Sequence, residues 1–135
     1  MTSSSTPAST TLRLPFAASS VSVARQQLKD WMVAQGASHE AVEDARVVIS
    51  ELVANSVRHA SPLPDGQILV TWGLDDSGSL QLSVTDGGAT TRPRTVNAPS
   101  SALAGRGMAI VSILAREWWT DRSTSRSTVH TSLPV

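Results

Sequence analysis

Between Ala41 and Ser56 apolar residues recur at the three- and four-residue steps of an α-helix. At about 100° per residue, Val42, Ala45, Val48, Ile49, Leu52, Val53 and Ser56 fall on one broad arc, which predicts the buried side of a long helix. Ser38 stands where an N-cap belongs, and Glu40 and Glu43 suit the positive end of the helix dipole. Glu51, Asn55 and His59 follow one another at four-residue steps and form a line bordering the buried arc. A solvated helix carries its carboxylates and amides on the far face. Here a carboxylate, an amide, an imidazole and the Arg58 guanidinium are aimed at the rim of the core, where a pocket could open. The same stretch also fits a helix that buries one face and ends in ordinary polar residues.

Elsewhere the pattern changes period. Thr11-Leu12-Arg13-Leu14-Pro15-Phe16 alternates and predicts a strand, which Pro15 assigns to an edge. A helix follows from Ser19, Ser20 or Ser22 to about Gln35, with Val23, Leu28, Trp31 and Met32 for its buried side, and Gly36 suits a left-handed cap. Ser61-Pro62-Leu63-Pro64-Asp65-Gly66 closes the central helix. Ile68, Val70, Trp72 and Leu74 alternate, Asp75-Asp76-Ser77-Gly78 makes a hairpin turn, and Leu80, Leu82 and Val84 alternate again. From Asp86 to about Gly105 there is no periodicity, and a loop of that length in a small domain is often functional. Residues 108–115 predict a helix preceded by Gly105-Arg106-Gly107, and 117–122 and 128–133 read as two last strands. The alternating strands predict a wet sheet face. The fold class is therefore α+β, a two-layer α/β sandwich whose mixed, mostly antiparallel sheet carries three helices on one face.

Composition narrows the functional classes. The 135 residues suit one domain, 12–135, after a flexible Ser/Thr-rich leader at 1–11. Eleven basic and eleven acidic residues give no net charge, and no basic stripe favours nucleic acid. Without cysteine, disulfides and cysteine zinc sites are excluded. No segment has the length of a membrane span and the leader does not resemble a secretion signal, so the expected location is cytoplasmic. His39, His59 and His130 lack metal-ligand spacing, and the four tryptophans read as packing residues.

Three elements could carry chemistry. On the central helix, the Asn55 side-chain oxygen suits a hard cation such as Mg²⁺, Glu51 could order a nucleophile or take its proton, and Arg58 could pair with phosphate charge. Val84-Thr85-Asp86-Gly87-Gly88 ends a strand with an exposed acid and two glycines that admit a ligand to the backbone, although Asp-Gly is also a common turn. Gly105-Arg106-Gly107-Met108 opens a helix whose free N–H groups suit phosphate. The third glycine of a dinucleotide fingerprint is replaced by Ile110, and no Gly-Lys-Ser/Thr follows.

The order of these elements is specific. Glu-x-x-x-Asn on a helix, Asp-x-Gly after a strand and Gly-x-Gly at a helix start resemble the histidine-kinase-like ATPase superfamily with its Bergerat ATP-binding fold. Within it, "SELVANSVRHA" and "GRGMAIVSILAREW" resemble the RsbW-type anti-sigma factor serine/threonine kinases of actinomycetes, over about residues 11–134. The resemblance implies ATP and Mg²⁺ as cofactors, with Asn55 holding Mg²⁺ against the triphosphate and Glu51 as the catalytic base for a protein hydroxyl. It implies that Arg58 and His59 face the phosphates or sugar and that Asp86 accepts a hydrogen bond from the adenine amino group, with Gly88 making room. Gly105, Arg106, Gly107 and Met108 would hold phosphates, Thr128 would lie near adenine, and an ATP lid would span the residues between Gly88 and Gly105. Implied partners are a STAS-type anti-anti-sigma protein to be phosphorylated, a sigma factor to be sequestered, and a second copy in a homodimer. Thr90, Trp119 and Ser127 stand where relatives often carry glycine, which makes the adenine end less typical. The alternative is a non-catalytic regulator-binding module, either nucleotide-dependent or degenerate and holding its regulator without ATP.

Overall fold

A computed structural model describes residues 9–88 and 101–135, with backbone alone for 101–107. The elements run β1 (Ser9–Pro15), α1 (Ser20–Ala34), α2 (His39–His59), β2 (Gln67–Leu74), β3 (Leu80–Asp86), α3 (Ser101–Leu114), β4 (Glu117–Arg122) and β5 (Ser127–Leu133). Local chemistry sets their ends. Gly36, at φ +83°, follows α1 and lets the Ala37 N–H reach the Met32 carbonyl and the Gly36 N–H that of Val33, both at 3.0 Å. Ser38 is extended at φ −70° and ψ 158°, and its hydroxyl accepts the Ala41 N–H at 3.1 Å, so the expected cap of α2 forms.

The strands make one sheet in the order β1-β2-β3-β5-β4. All four pairings are antiparallel, so the mixed sheet expected from the alternation is antiparallel among the described residues. β3 and β4, joined through α3, run parallel, but β5 lies between them, so no two hydrogen-bonded neighbours are parallel. β1 is an edge strand, as Pro15 indicated, but it begins at Ser9. Residues 9–11, expected in the leader, are ladder residues: Thr11 lies opposite Thr71, and their hydroxyls meet at 3.4 Å. Residues 1–8 lie outside the described part.

Alternation sorts the sheet into two faces. Ile68, Val70, Trp72, Leu80, Leu82, Val84 and Leu133 face the helices, where they pack with Leu28 and Met32 of α1, the α2 stripe and Val111 of α3. All seven members of the arc predicted on α2 are buried. On α1, Val23 is 44% exposed and Ala24 is fully buried, so phase and not hydrophobicity decides which side chain faces inward. The opposite face carries the row Thr11, Thr71, Ser83, His130 and Trp119 across all five strands. Trp119 stacks there on His130 with ring centroids 5.1 Å apart. No helix among the described residues is long and apolar enough to cross a membrane.

The β2–β3 turn is held by one carboxylate. Asp75 Oδ1 accepts the Ser77 N–H at 2.9 Å, the Ser77 hydroxyl at 2.7 Å and the Ser79 N–H at 2.9 Å, while Oδ2 accepts from Gln81 Nε2 at 2.9 Å. The Ser77 hydroxyl, then the Ser79 N–H, hold the Asp75 carboxyl below its ordinary value of 3.8. Because the folded state lowers this value, the stabilisation is fully present above about pH 4 and is lost as pH falls through the folded-state value. Thermal melts should show Asp75→Ala less stable than the wild type at neutral pH. The gap should narrow as pH drops below about 4; a gap that is constant with pH would assign the effect to something other than this carboxylate.

Candidate functional site

β3 ends by carrying Asp86 to the helix side of the sheet, in phase with Leu82 and Val84. There it meets Ser56, on the penultimate turn of α2. The Ser56 hydroxyl donates to Asp86 Oδ2 at 2.6 Å, and the Gly88 N–H donates to Oδ1 at 2.8 Å. Ser56 and Asp86 are 5% and 6% exposed, so the acid expected to be exposed is buried, and a strand end and a helix are joined through a charge-assisted hydrogen bond. Each carboxylate oxygen keeps a further lone pair for an incoming donor.

The two glycines after Asp86 have different reasons. The Gly87 N–H donates to the Ser61 carbonyl and the Ser61 N–H to the Gly88 carbonyl, both at 2.8 Å, which ties the strand end to the α2–β2 turn. A Cβ on Gly87 would run into the Pro62 carbonyl, a backbone group that cannot rotate away. Gly88 has open space around it but sits at φ +86°, where an L side chain is strained. Gly87→Ala should therefore destabilise the fold by about 1–3 kcal/mol through forced backbone shifts. A urea melt with the wild-type midpoint would mean that the turn moves aside freely.

Glu51 and Asn55 are half-buried along α2, and Arg58 and His59 are exposed in its last turn. Asn55 directly precedes the residue that grips Asp86, so the amide and the acid end at the same end of the molecule. No cluster of three His, Asp or Glu side chains is present among the described residues. One amide oxygen with a carboxylate a turn away therefore fits a cation that brings other oxygen ligands, as Mg²⁺ does on a triphosphate.

Two expected site elements are placed differently. α3 begins at Ser101, so Gly105 and Gly107 lie inside the helix and do not open it. Ala102, Leu103 and Ala104 are strong helix formers, and the helix runs on through both glycines despite the roughly 1 kcal/mol that each costs. Met108 is half-buried and packs on the core, and the Arg106 side chain lies outside the described part. Thr128 pairs with Thr85, and their hydroxyls meet at 2.8 Å. The register puts Ser127 opposite Asp86, so Thr128 faces the other side of the sheet from the acid. Trp119, stacked on His130 on that outer face, does not fill the space beside Asp86. Thr90 and most of the expected lid, 89–100, lie outside the described residues.

Ser56 itself was missed as a site residue. Its signal was a hydroxyl on an otherwise apolar arc, since a buried polar group requires a partner. A cavity of about 240 Å³ lined by Trp31, Met32, Leu74, Leu80 and Val135 lies at the hairpin end of β3, roughly 20 Å of strand from Asp86, and does not belong to this site.

Residues 14–132 match the histidine kinase-like ATPase domain family. The chain is 36% identical over 81 residues to a serine-protein kinase RsbW of Listeria innocua, covering 59% of this chain and 51% of that protein. The matched segment thus spans about half the length of that relative. Among solved structures, the RsbU and RsbW domains of Rv1364c from Mycobacterium tuberculosis superpose with a TM-score of 0.71 at 24% identity, over 95% of this chain and 34% of that one. A chain of the SiaB–SiaC complex of Pseudomonas aeruginosa superposes with a TM-score of 0.69 at 12% identity, over 92% of this chain and 88% of that one. At these identities the two structures establish a shared fold.

Proposed function

Because this chain belongs to the histidine kinase-like ATPase domain family, we propose that it is an ATP- and Mg²⁺-dependent serine/threonine protein kinase of the anti-sigma type. Asp86 accepts a hydrogen bond from the adenine amino group, and Gly88 leaves space beside it. Arg58, His59 and the Gly105–Met108 stretch bind the phosphates and sugar. The Asn55 amide oxygen is the protein's ligand to Mg²⁺, which when bound neutralises charge on the triphosphate. Glu51 takes the proton of a partner's serine or threonine hydroxyl as its oxygen bonds to the γ-phosphorus, and the bond to the ADP oxygen breaks. The substrate is a STAS-type anti-anti-sigma protein in the cytoplasm, and a sigma factor is the second partner, bound by the protein as a homodimer.

The observation that carries this reading is the buried Ser56–Asp86 bond, which fastens the Glu51–Asn55 helix to the acid-glycine strand end. The likeness to RsbW serine-protein kinases supports the choice of hydroxyl as acceptor. Thr128, turned from Asp86 and bonded to Thr85, favours the second reading, a nucleotide-dependent module that holds a regulator without chemistry. Incubation with γ-labelled ATP, Mg²⁺ and a STAS-type partner tests the choice. Label on a partner serine or threonine is the expected result. Mg²⁺-dependent ATP binding without transfer would give the nucleotide-dependent module, and no ATP binding would end the kinase reading and leave the degenerate module.

A further inference from the structure

We infer that Ser56 is a positioning residue for base selection: its hydroxyl orients the Asp86 carboxylate so that the site takes a 6-amino purine and discriminates against purines lacking that donor. The inference rests on the reading of Asp86 as the adenine acceptor and adds a residue to it. The hydroxyl has one hydrogen, and it is committed to Asp86 Oδ2 at 2.6 Å. The Gly88 N–H takes the other oxygen at 2.8 Å. An aspartate χ2 is a broad, two-fold torsion, so an unrestrained carboxylate samples many planes. Here two donors from different elements fix the plane, and the helix behind Ser56 is itself held, since its carbonyl accepts the Ala60 N–H at 2.9 Å.

The selectivity follows from the inventory of donors and acceptors. With Ser56 and Gly88 each spending a hydrogen on Asp86, the carboxylate oxygens present only lone pairs to a ligand. An exocyclic amine satisfies them, whereas a purine with hydrogen at C6 leaves a buried acceptor unmet. Removing the Ser56 hydroxyl frees the carboxylate to turn and weakens the amine-specific part of binding, because the hydroxyl's one hydrogen is spent on Asp86.

The test compares ATP with the triphosphate of purine riboside, which carries hydrogen in place of the 6-amino group, by calorimetry on wild type, Ser56→Ala and Ser56→Cys, with melting curves to establish that each is folded. The wild type should prefer ATP. Ser56→Ala should bind ATP about tenfold more weakly, the size of one charge-assisted hydrogen bond, and bind the purine riboside nucleotide as the wild type does. Ser56→Cys, a weak donor, should fall between. A Ser56→Ala affinity loss shared equally by both nucleotides, or no loss, overturns the positioning role while leaving Asp86 as the base contact. A wild type that does not distinguish the two nucleotides overturns the Asp86 reading and the inference with it.

Discussion

Glu51→Gln is expected to slow phosphoryl transfer to a protein serine or threonine by about 10²- to 10⁴-fold, the range that a positioned general base contributes. Glutamine keeps the length and the hydrogen-bonding oxygen of glutamate but cannot take the hydroxyl proton. Affinity for Mg²⁺-ATP should stay within a few-fold of wild type, because the base acts on the acceptor and not on the nucleotide. Single-turnover transfer of labelled phosphate, read beside calorimetric ATP binding, separates the two quantities. Since phosphoryl transfer is chiefly positioning and charge stabilisation, an unchanged transfer rate would remove Glu51 from the chemistry and leave Asn55 with the nucleotide contacts as the functional part of α2. Half-burial and the line it shares with Asn55 make Glu51 the one carboxylate of α2 suited to that task; Glu43 pairs instead with Arg46 at 2.9 Å.

Asp86→Asn should weaken ATP binding by about 10- to 100-fold, corresponding to the roughly 1.5–3 kcal/mol of a hydrogen bond to a charged group. The change is isosteric, and the Ser56 hydroxyl can rotate to accept from an amide as readily as it donates to a carboxylate. The fold should therefore survive, and the melting midpoint should move much less than the affinity. That separation is what distinguishes a ligand contact from a structural bond. Were the midpoint to fall steeply while ATP affinity held, the Ser56–Asp86 pair would be a staple between helix and sheet and not part of a base-binding site.

Much of this architecture could be read before any coordinates. The α2 stripe from Val42 to Ser56 was legible because helical phase is a local property, and a 21-residue helix repeats it often enough to be unambiguous. Ser38, Gly36 and the Asp75–Gly78 turn were legible because their chemistry is complete within a few residues. What escaped lies in register. Thr128 has a plausible sequence position, but only its pairing with Thr85 decides that it faces away from Asp86. The Ser56–Asp86 bond joins residues 30 apart, and the closeness of Gly87 to Pro62 depends on how the strand end meets the turn after α2. The start of α3 is hidden for a different reason: the glycines suggest a boundary, whereas the Ala-Leu-Ala before them extends the helix to Ser101.

Carrying Glu51 and Asn55 on one uninterrupted helix has a further effect. Four residues of α-helix advance about 6 Å, a spacing set by the backbone ladder and not by any loop. The Glu51 carboxylate and the Asn55 amide thus behave as marks on a ruler. Loops around them can change in length or sequence, while the gap between the proposed proton acceptor and the proposed cation ligand stays the same.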